Sequence, residues 1–142
     1  MIAYFDTSAI VPLVVDEAST ELCNRLWTES TRVVSVRLLY PEARAALARA
    51  HRIGRLTRSQ LAAAIAELES VAEEIDVIEV TADLARIAGE LAQEHALRGF
   101  DAVHLAAARS IADEDLVLVT GDVDLAAAGR ASGISVSLTS AG

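Results

Sequence analysis

Four carboxylates stand in settings unlike those of the other acids, most of which fall on solvent-side helix positions. Asp6 ends the apolar run Met1-Ile2-Ala3-Tyr4-Phe5 and is followed by two hydroxyls, Thr7 and Ser8. Asp122 follows a second apolar run, Leu116-Val117-Leu118-Val119, with Thr120 and Gly121 between. Asp101 opens an Ala-rich stretch that is apolar nearly all round and so must be buried. Glu42, three residues after Leu39 and four before Ala46, borders a buried helical stripe. Each has an ordinary explanation alone. Asp6 or Thr7 caps a following helix. Asp101 near a helix start gains about 0.3–1 kcal/mol from the dipole. Asp122 is a turn residue, and Glu42 reaches solvent on its flexible stem. Four such residues at the ends of core elements are harder to explain that way. Asp124 is either a further ligand or the cap of a short last helix.

Gathered in one pocket, these groups need a cation. Two carboxylates about 5 Å apart repel by roughly 3 kcal/mol at an effective dielectric of 20, so three or four together either protonate or hold a positive ion. Oxygen ligation suits Mg2+ or Mn2+, and the lack of a Cys or His cluster disfavours zinc. Such an ion polarises a phosphoryl oxygen and activates water. Phosphodiester hydrolysis is the chemistry this donor set points to.

The elements that must position the acids follow from periodicity. Continuous apolar runs at the N-terminus and at 116–119 predict strands buried on both faces of a parallel sheet, and two such strands in a small sheet are neighbours. Groups just past the carboxyl ends of central strands line the ligand crevice of an open α/β sheet. Leu22, Cys23, Leu26 and Trp27 predict a short amphipathic helix, and Arg32 to Val36 a strand. Leu39, Ala43, Ala46, Leu47 and Ala50 form the stripe of the next helix. Pro41 lies near its start and either bends it or sits in its first turn. Thr57-Arg58-Ser59-Gln60 has the form of a capping box, opening a helix with Leu61, Ile65, Leu68, Ala72 and Ile75 inward. Val77 to Val80 predicts a strand. Thr81 caps a helix with Leu84, Ile87, Ala88 and Leu91 inward, and Gly99 is expected to break it. Phe100 to Ala112 forms the Ala-rich helix, Leu125 to Gly129 one or two helical turns, and Ile134, Val136 and Leu138 alternate as a half-exposed edge strand. Strands separated by helices throughout imply one α/β domain spanning residues 1–142, with helices on both faces of a parallel sheet.

Composition narrows the function classes. Aromatics make up 4% of the 142 residues, which argues against a base-stacking platform. One cysteine, Cys23, permits no internal disulfide and suits a reducing compartment. No run is long and apolar enough for a bilayer, and the N-terminus lacks signal-peptide character, so a cytoplasmic protein without membrane attachment is expected. A net charge of −9 gives no global attraction to nucleic acid, which counts against a plain DNA-binding module but not against an enzyme that meets phosphates through metal ions. All 12 Lys and Arg positions are arginine, which excludes Lys-dependent phosphate sites such as a Walker A loop or a receiver-domain lysine. A haloacid-dehalogenase-type phosphatase would need a second acid where Ser8 stands.

Taken together, Phe5-Asp6-Thr7-Ser8-Ala9, Pro41-Glu42-Ala43-Arg44-Ala45-Ala46-Leu47, Leu97-Arg98-Gly99-Phe100-Asp101-Ala102-Val103-His104-Leu105-Ala106 and Val119-Thr120-Gly121-Asp122 form a specific set covering nearly the whole chain. In their order and spacing the chain resembles the PIN-domain ribonucleases, and within them the VapC-type toxins of bacterial toxin–antitoxin systems. The resemblance implies a three-layer α/β/α sandwich with a central parallel sheet. It implies an Mg2+- or Mn2+-dependent endoribonuclease acting on RNA, usually a homodimer, neutralised by a cognate antitoxin. Asp6, Glu42, Asp101 and Asp122 correspond to the family's acidic quartet, and none departs from the pattern. Asp6 and Asp101 are expected as direct metal ligands, with Glu42 and Asp122 binding directly or through water. Thr7 or Ser8, and Thr120, correspond to hydroxyls that orient ligands or water, and Asp124 to an occasional extra acid.

Other residues carry weaker expectations. His104, one turn after Asp101, reads as a polar member of a packed helix before it reads as catalytic. Arg98 either meets RNA phosphate or pairs with the acidic pocket. Arg44, Arg49, Arg52, Arg55 and Arg58 form the one basic stretch, a solvated face or a place for RNA backbone or an acidic partner segment. The alternative from another class is a PIN-like binding or regulatory subunit that keeps its acids without turnover.

Overall fold

The computed structural model describes residues 1–140. In chain order the elements are β1 (Ile2–Phe5), α1 (Thr7–Val14), α2 (Thr20–Glu29), β2 (Arg32–Val36), α3 (Leu39–Arg52), α4 (Arg58–Glu73), β3 (Asp76–Ile78), α5 (Ala82–His95), α6 (Gly99–Ser110), β4 (Leu116–Thr120), α7 (Val123–Ala131) and β5 (Ser135–Leu138). The five strands form one sheet, every pairing parallel, in the order β3-β2-β1-β4-β5. The two apolar runs are adjacent, with Ile2 opposite Leu116 and Phe5 opposite Val119.

Alternation along β1 splits the core in two. Tyr4 points to one face, where Val34, Leu118 and residues of α5, α6 and α7 pack around it. Ala3 and Phe5 point to the other, against residues of α1, α2, α3 and α4. The fold is therefore a three-layer α/β/α sandwich, and β1, buried on both sides, carries no outward polar residue for the reason expected of a central parallel strand. Gly129 lets α7 lie close on the sheet. A Cβ there would stand 2.9 Å from Leu118 Cδ2 and 3.1 Å from Val136 Cγ2.

The direction in which successive connections extend the sheet reverses at the β1–β4 boundary. The connection from β1 leads outward to β2 and then β3, whereas β4 and β5 extend the sheet on the opposite side. The carboxyl ends of β1 and β4 thus flank the topological switch point, where open α/β sheets leave a crevice.

Several boundaries differ from the periodicity reading, each for a local reason. The patch after Asp6 is a full helix, α1, and the last helix spans nine residues. Pro41 is the third residue of α3, where its missing N–H has no intrahelical partner to lose. The capping box at Thr57 and Gln60 is formed on both sides. Ile75, expected within that helix, lies past its end and leads into β3, which is shorter than expected and begins at Asp76. Gly99 does not break α5. Ala96 does, in the left-handed region at φ 53, and Gly99 is the first residue of α6. Ile87 is 45% exposed instead of inward. The stripe 84-88-91 faces the core beside α6 and leaves residue 87 on a flank that no element covers. No helix among the described residues is long and apolar enough to cross a membrane.

Candidate functional site

The four acids expected to converge line one cleft of about 340 Å3 at the switch point. Asp6 is the N-cap of α1, and its Oδ1 accepts the Ala9 N–H at 3.1 Å and the Ser8 hydroxyl at 2.6 Å. Its Oδ2 accepts the Thr120 hydroxyl at 2.6 Å, so the end of β4 fixes the acid that ends β1. Ser8 Oγ in turn accepts the Gly121 N–H at 2.7 Å, and Thr120 Oγ1 accepts the Asp122 N–H at 3.0 Å. Asp122 caps α7 through Oδ1, which accepts the Leu125 N–H at 2.8 Å. Asp6 and Asp122 therefore cap helices and line the cleft at the same time. The cap immobilises one oxygen and aims the carboxylate.

Glu42, in the first turn of α3, accepts the Thr7 hydroxyl at 2.9 Å and faces His104 Nε2 at 2.7 Å. Both bonds end on Oε1. The far side of the His104 ring, Nδ1, lies 2.8 Å from the Tyr4 hydroxyl. A phenol donating to Nδ1 leaves the proton on Nε2, where it is donated to Glu42. Asp101, in the first turn of α6, accepts from Arg98 Nε at 3.1 Å, and Arg98 Nη2 lies 3.8 Å from Asp122 Oδ2.

Electrostatics separates the two innermost acids. Asp6 is 3% exposed. Burial pushes its carboxyl above the usual aspartate range, and His104 together with bonds from Ser8, Thr120 and Ala9 only partly offsets this. Burial also works against the charge on Glu42, but His104, the Thr7 hydroxyl and nearby Arg98 outweigh it, holding that carboxyl below its ordinary value. The donor set facing the cleft is all oxygen, which suits a hard divalent cation, and a buried carboxylate that resists ionisation is a group such a cation would relieve. Among the described residues no three acidic, histidine or cysteine groups are drawn into a ready-made coordination shell. The acids line the walls, and the Arg98 guanidinium bridges Asp101 and Asp122.

The hydroxyls of Thr7, Ser8 and Thr120 all bond to the acids, Thr7 to Glu42 and the other two to Asp6. Asp124 is exposed and does not line the cleft. Its place in the first turn of α7 turns it to solvent. Arg44 is also outside, with its guanidinium 2.9 Å from the Tyr40 hydroxyl and over that ring. One residue enters the site unforeseen. Glu17, from the turn between α1 and α2, lines the cleft 4.0 Å from Arg55. His104 is a packed core residue, 2% exposed, and it also holds Glu42. Its spacing of three from Asp101 on one helix was the signal for that.

Comparison with known proteins places this arrangement. The family model described as PIN domain matches residues 3–131. The chain belongs to the PIN-domain family. It is 43% identical over 135 residues to the ribonucleases VapC45 and VapC49 of Mycobacterium tuberculosis, covering 95% of this chain and 94% of each of them. Among solved structures, the PIN domain described here superposes on VapC20 of M. tuberculosis, a sarcin–ricin-loop-cleaving toxin, with a TM-score of 0.70. That pair shares 26% identity over 89% of this chain and 95% of the other. VapBC-5 of M. tuberculosis, from the VapBC family of toxin–antitoxin systems, matches at TM-score 0.57 and 25% identity over 98% of both chains.

Proposed function

We infer that this PIN domain is an endoribonuclease, the toxin of a VapC-type toxin–antitoxin pair, and that it hydrolyses RNA phosphodiester bonds with Mg2+ or Mn2+ held in its acidic cleft. The observation that carries the reading is the meeting of Asp6, Glu42, Asp101 and Asp122, from four separate stretches of chain, in one cleft at the sheet's switch point. The named ribonucleases at 43% identity support the choice of RNA as substrate.

When bound, the cation supplies Lewis-acid polarisation of the scissile phosphate and neutralises the charge that builds on it. Asp6, Asp101 and Asp122 would hold it, with Glu42 joining them directly or through water. Ser8, Thr120 and the Ala9 N–H keep Asp6 from rotating as its charge is drawn on. Glu42 has its Oε1 committed to Thr7 and His104, so its Oε2 is the oxygen that orients the attacking water and accepts its proton. The low pKa direction of Glu42 keeps it ionised for that task at neutral pH.

The protein acts in the cytoplasm, where a cognate antitoxin silences it, a pairing supported by the VapBC likeness. It works as a homodimer, and the exposed Phe100 and Ile87 support that state.

The test is RNA cleavage by purified, antitoxin-free protein with and without Mn2+. Cleavage should require the metal, and Asp6→Asn and Asp101→Asn should each lower it by about 10^3-fold or more while circular dichroism remains native. Cleavage that persists in chelator, or survives both substitutions, would refute the reading.

A further inference from the structure

We propose that Arg98 is the resident counter-ion of the acidic cleft and competes with the divalent cation for Asp101 and Asp122, setting the cation concentration at which the site fills. The proposal rests on the metal-binding reading above and assigns Arg98 a task distinct from contact with RNA.

The backbone delivers this side chain to one place. The left-handed turn at Ala96 ends α5, buried Leu97 anchors the next residue, and Arg98 takes the N-cap position of α6 without capping it. Its guanidinium instead reaches the acid three residues on, with Nε 3.1 Å from Asp101 Oδ2, and extends Nη2 to 3.8 Å from Asp122 Oδ2. That Asp122 oxygen is the one the helix cap leaves over, since Oδ1 is bonded to Leu125 N–H. Arg98 therefore bonds to Asp101 Oδ2 and stands close to Asp122 Oδ2, the two oxygens that a cation would draw on. A guanidinium and a divalent ion cannot share those two carboxylates without like-charge repulsion.

The grip is loose by construction. The contact to Asp101 is a single Nε bond and not a two-pronged fork, the reach to Asp122 exceeds hydrogen-bond length, and the side chain is 83% exposed. An exposed pair of this kind is weak and salt-sensitive. It lowers repulsion between Asp101 and Asp122 while the cleft is metal-free and yields to a dication. Yielding places the freed guanidinium at the cleft mouth.

Calorimetric titration of the full chain with Mn2+ at low ionic strength tests this. Arg98→Gln should bind Mn2+ about 5- to 10-fold more tightly than wild type, the gap narrowing to about twofold near 0.5 M salt. Arg98→Lys should fall between the two, and the metal-induced rise in melting temperature should be larger for Arg98→Gln. Arg86→Gln is the control, since Arg86 pairs with Asp83 on α5 and does not line the cleft. Equal or weaker Mn2+ binding by Arg98→Gln, with wild type binding normally, overturns the role of Arg98 and leaves the metal site intact. Failure of wild type to bind Mn2+ at all overturns the metal reading itself.

Discussion

A carboxylate 3% exposed, with three hydrogen bonds and no cation among them, is costly to keep ionised. The raised pKa direction of Asp6 gives that cost a sign. The penalty is absent below the ordinary aspartate pKa, grows as pH rises toward the raised folded value, and is complete above it. Asp6→Asn should therefore melt higher than wild type in chelator at pH 7.5, by about 2–5 °C. The gap should close on acidification toward pH 4 or on adding Mn2+ to wild type. Thermal melts of both proteins across that range check it, and a lower melting temperature for the variant at pH 7.5 would show that the hydrogen-bond network outweighs desolvation. His104 belongs to the same scale. Its ring fixes Glu42 from one side and meets Tyr4 on the other. Second-layer partners of ligands commonly matter by about 10–100-fold, so His104→Gln should reduce kcat by that order with KM for RNA nearly unchanged. Tyr4→Phe, which keeps the imidazole, should lose less than tenfold. A rise in KM with kcat intact would assign His104 to RNA binding. In the sequence, the quartet stood out because each acid ends or borders an apolar element. Glu17 did not, since it reaches the cleft only when the α1–α2 turn folds back, and His104 read first as a packed residue because of the apolar helix around it.

Elements were legible wherever one face of the chain is plainly apolar. The adjacency of β1 and β4 could be read because two strands buried on both faces leave little choice in a five-stranded sheet. The end of α5 could not. Gly99 looked like a breaker, but the chain turns three residues earlier at Ala96, where φ is 53 and the Leu97 N–H bonds back to Ala92 O at 3.1 Å. Alanine carries no sequence mark for that conformation, and the hydrophobic hold of Leu97 imposes it. The turn matters because it delivers Arg98 and then Asp101. It is also suboptimal, since an exposed alanine in the left-handed region gives up conformational energy that glycine does not. Ala96→Gly should raise unfolding free energy by about 0.5–1 kcal/mol, with cleavage unchanged. Urea denaturation measures it, and a loss of stability would mean that the unfolded-state entropy of glycine dominates at this position.

At the scale of the whole molecule, the unexplained feature is apolar surface on the side where α5 meets α6. Phe100 is 60% exposed and Ile87 45%. Phe100 lines a groove of about 560 Å3 floored by Ala85, Ala88, Gly89 and Ala92, which shares Glu42, Arg98 and Asp101 with the acidic cleft, whereas Ile87 lies on another flank of α5. Small residues on a helix face permit close approach of another helix, and large exposed apolar side chains beside them are costly in water. A second copy of the chain meets both conditions, because each copy offers the same bulky residues and the same shallow groove, the self-complementarity a twofold interface requires. Docked this way, two acidic clefts would open beside one interface, within reach of one RNA or one antitoxin segment. Light scattering should then give about 30 kDa, twice the 15.0 kDa of one chain. Phe100→Glu should give a folded species near 15 kDa, because a carboxylate there cannot be buried against its own symmetry mate. Cleavage per chain should fall with it if both clefts serve one RNA, and should persist if each works alone. A wild type that is monomeric at all concentrations would leave that surface to the antitoxin.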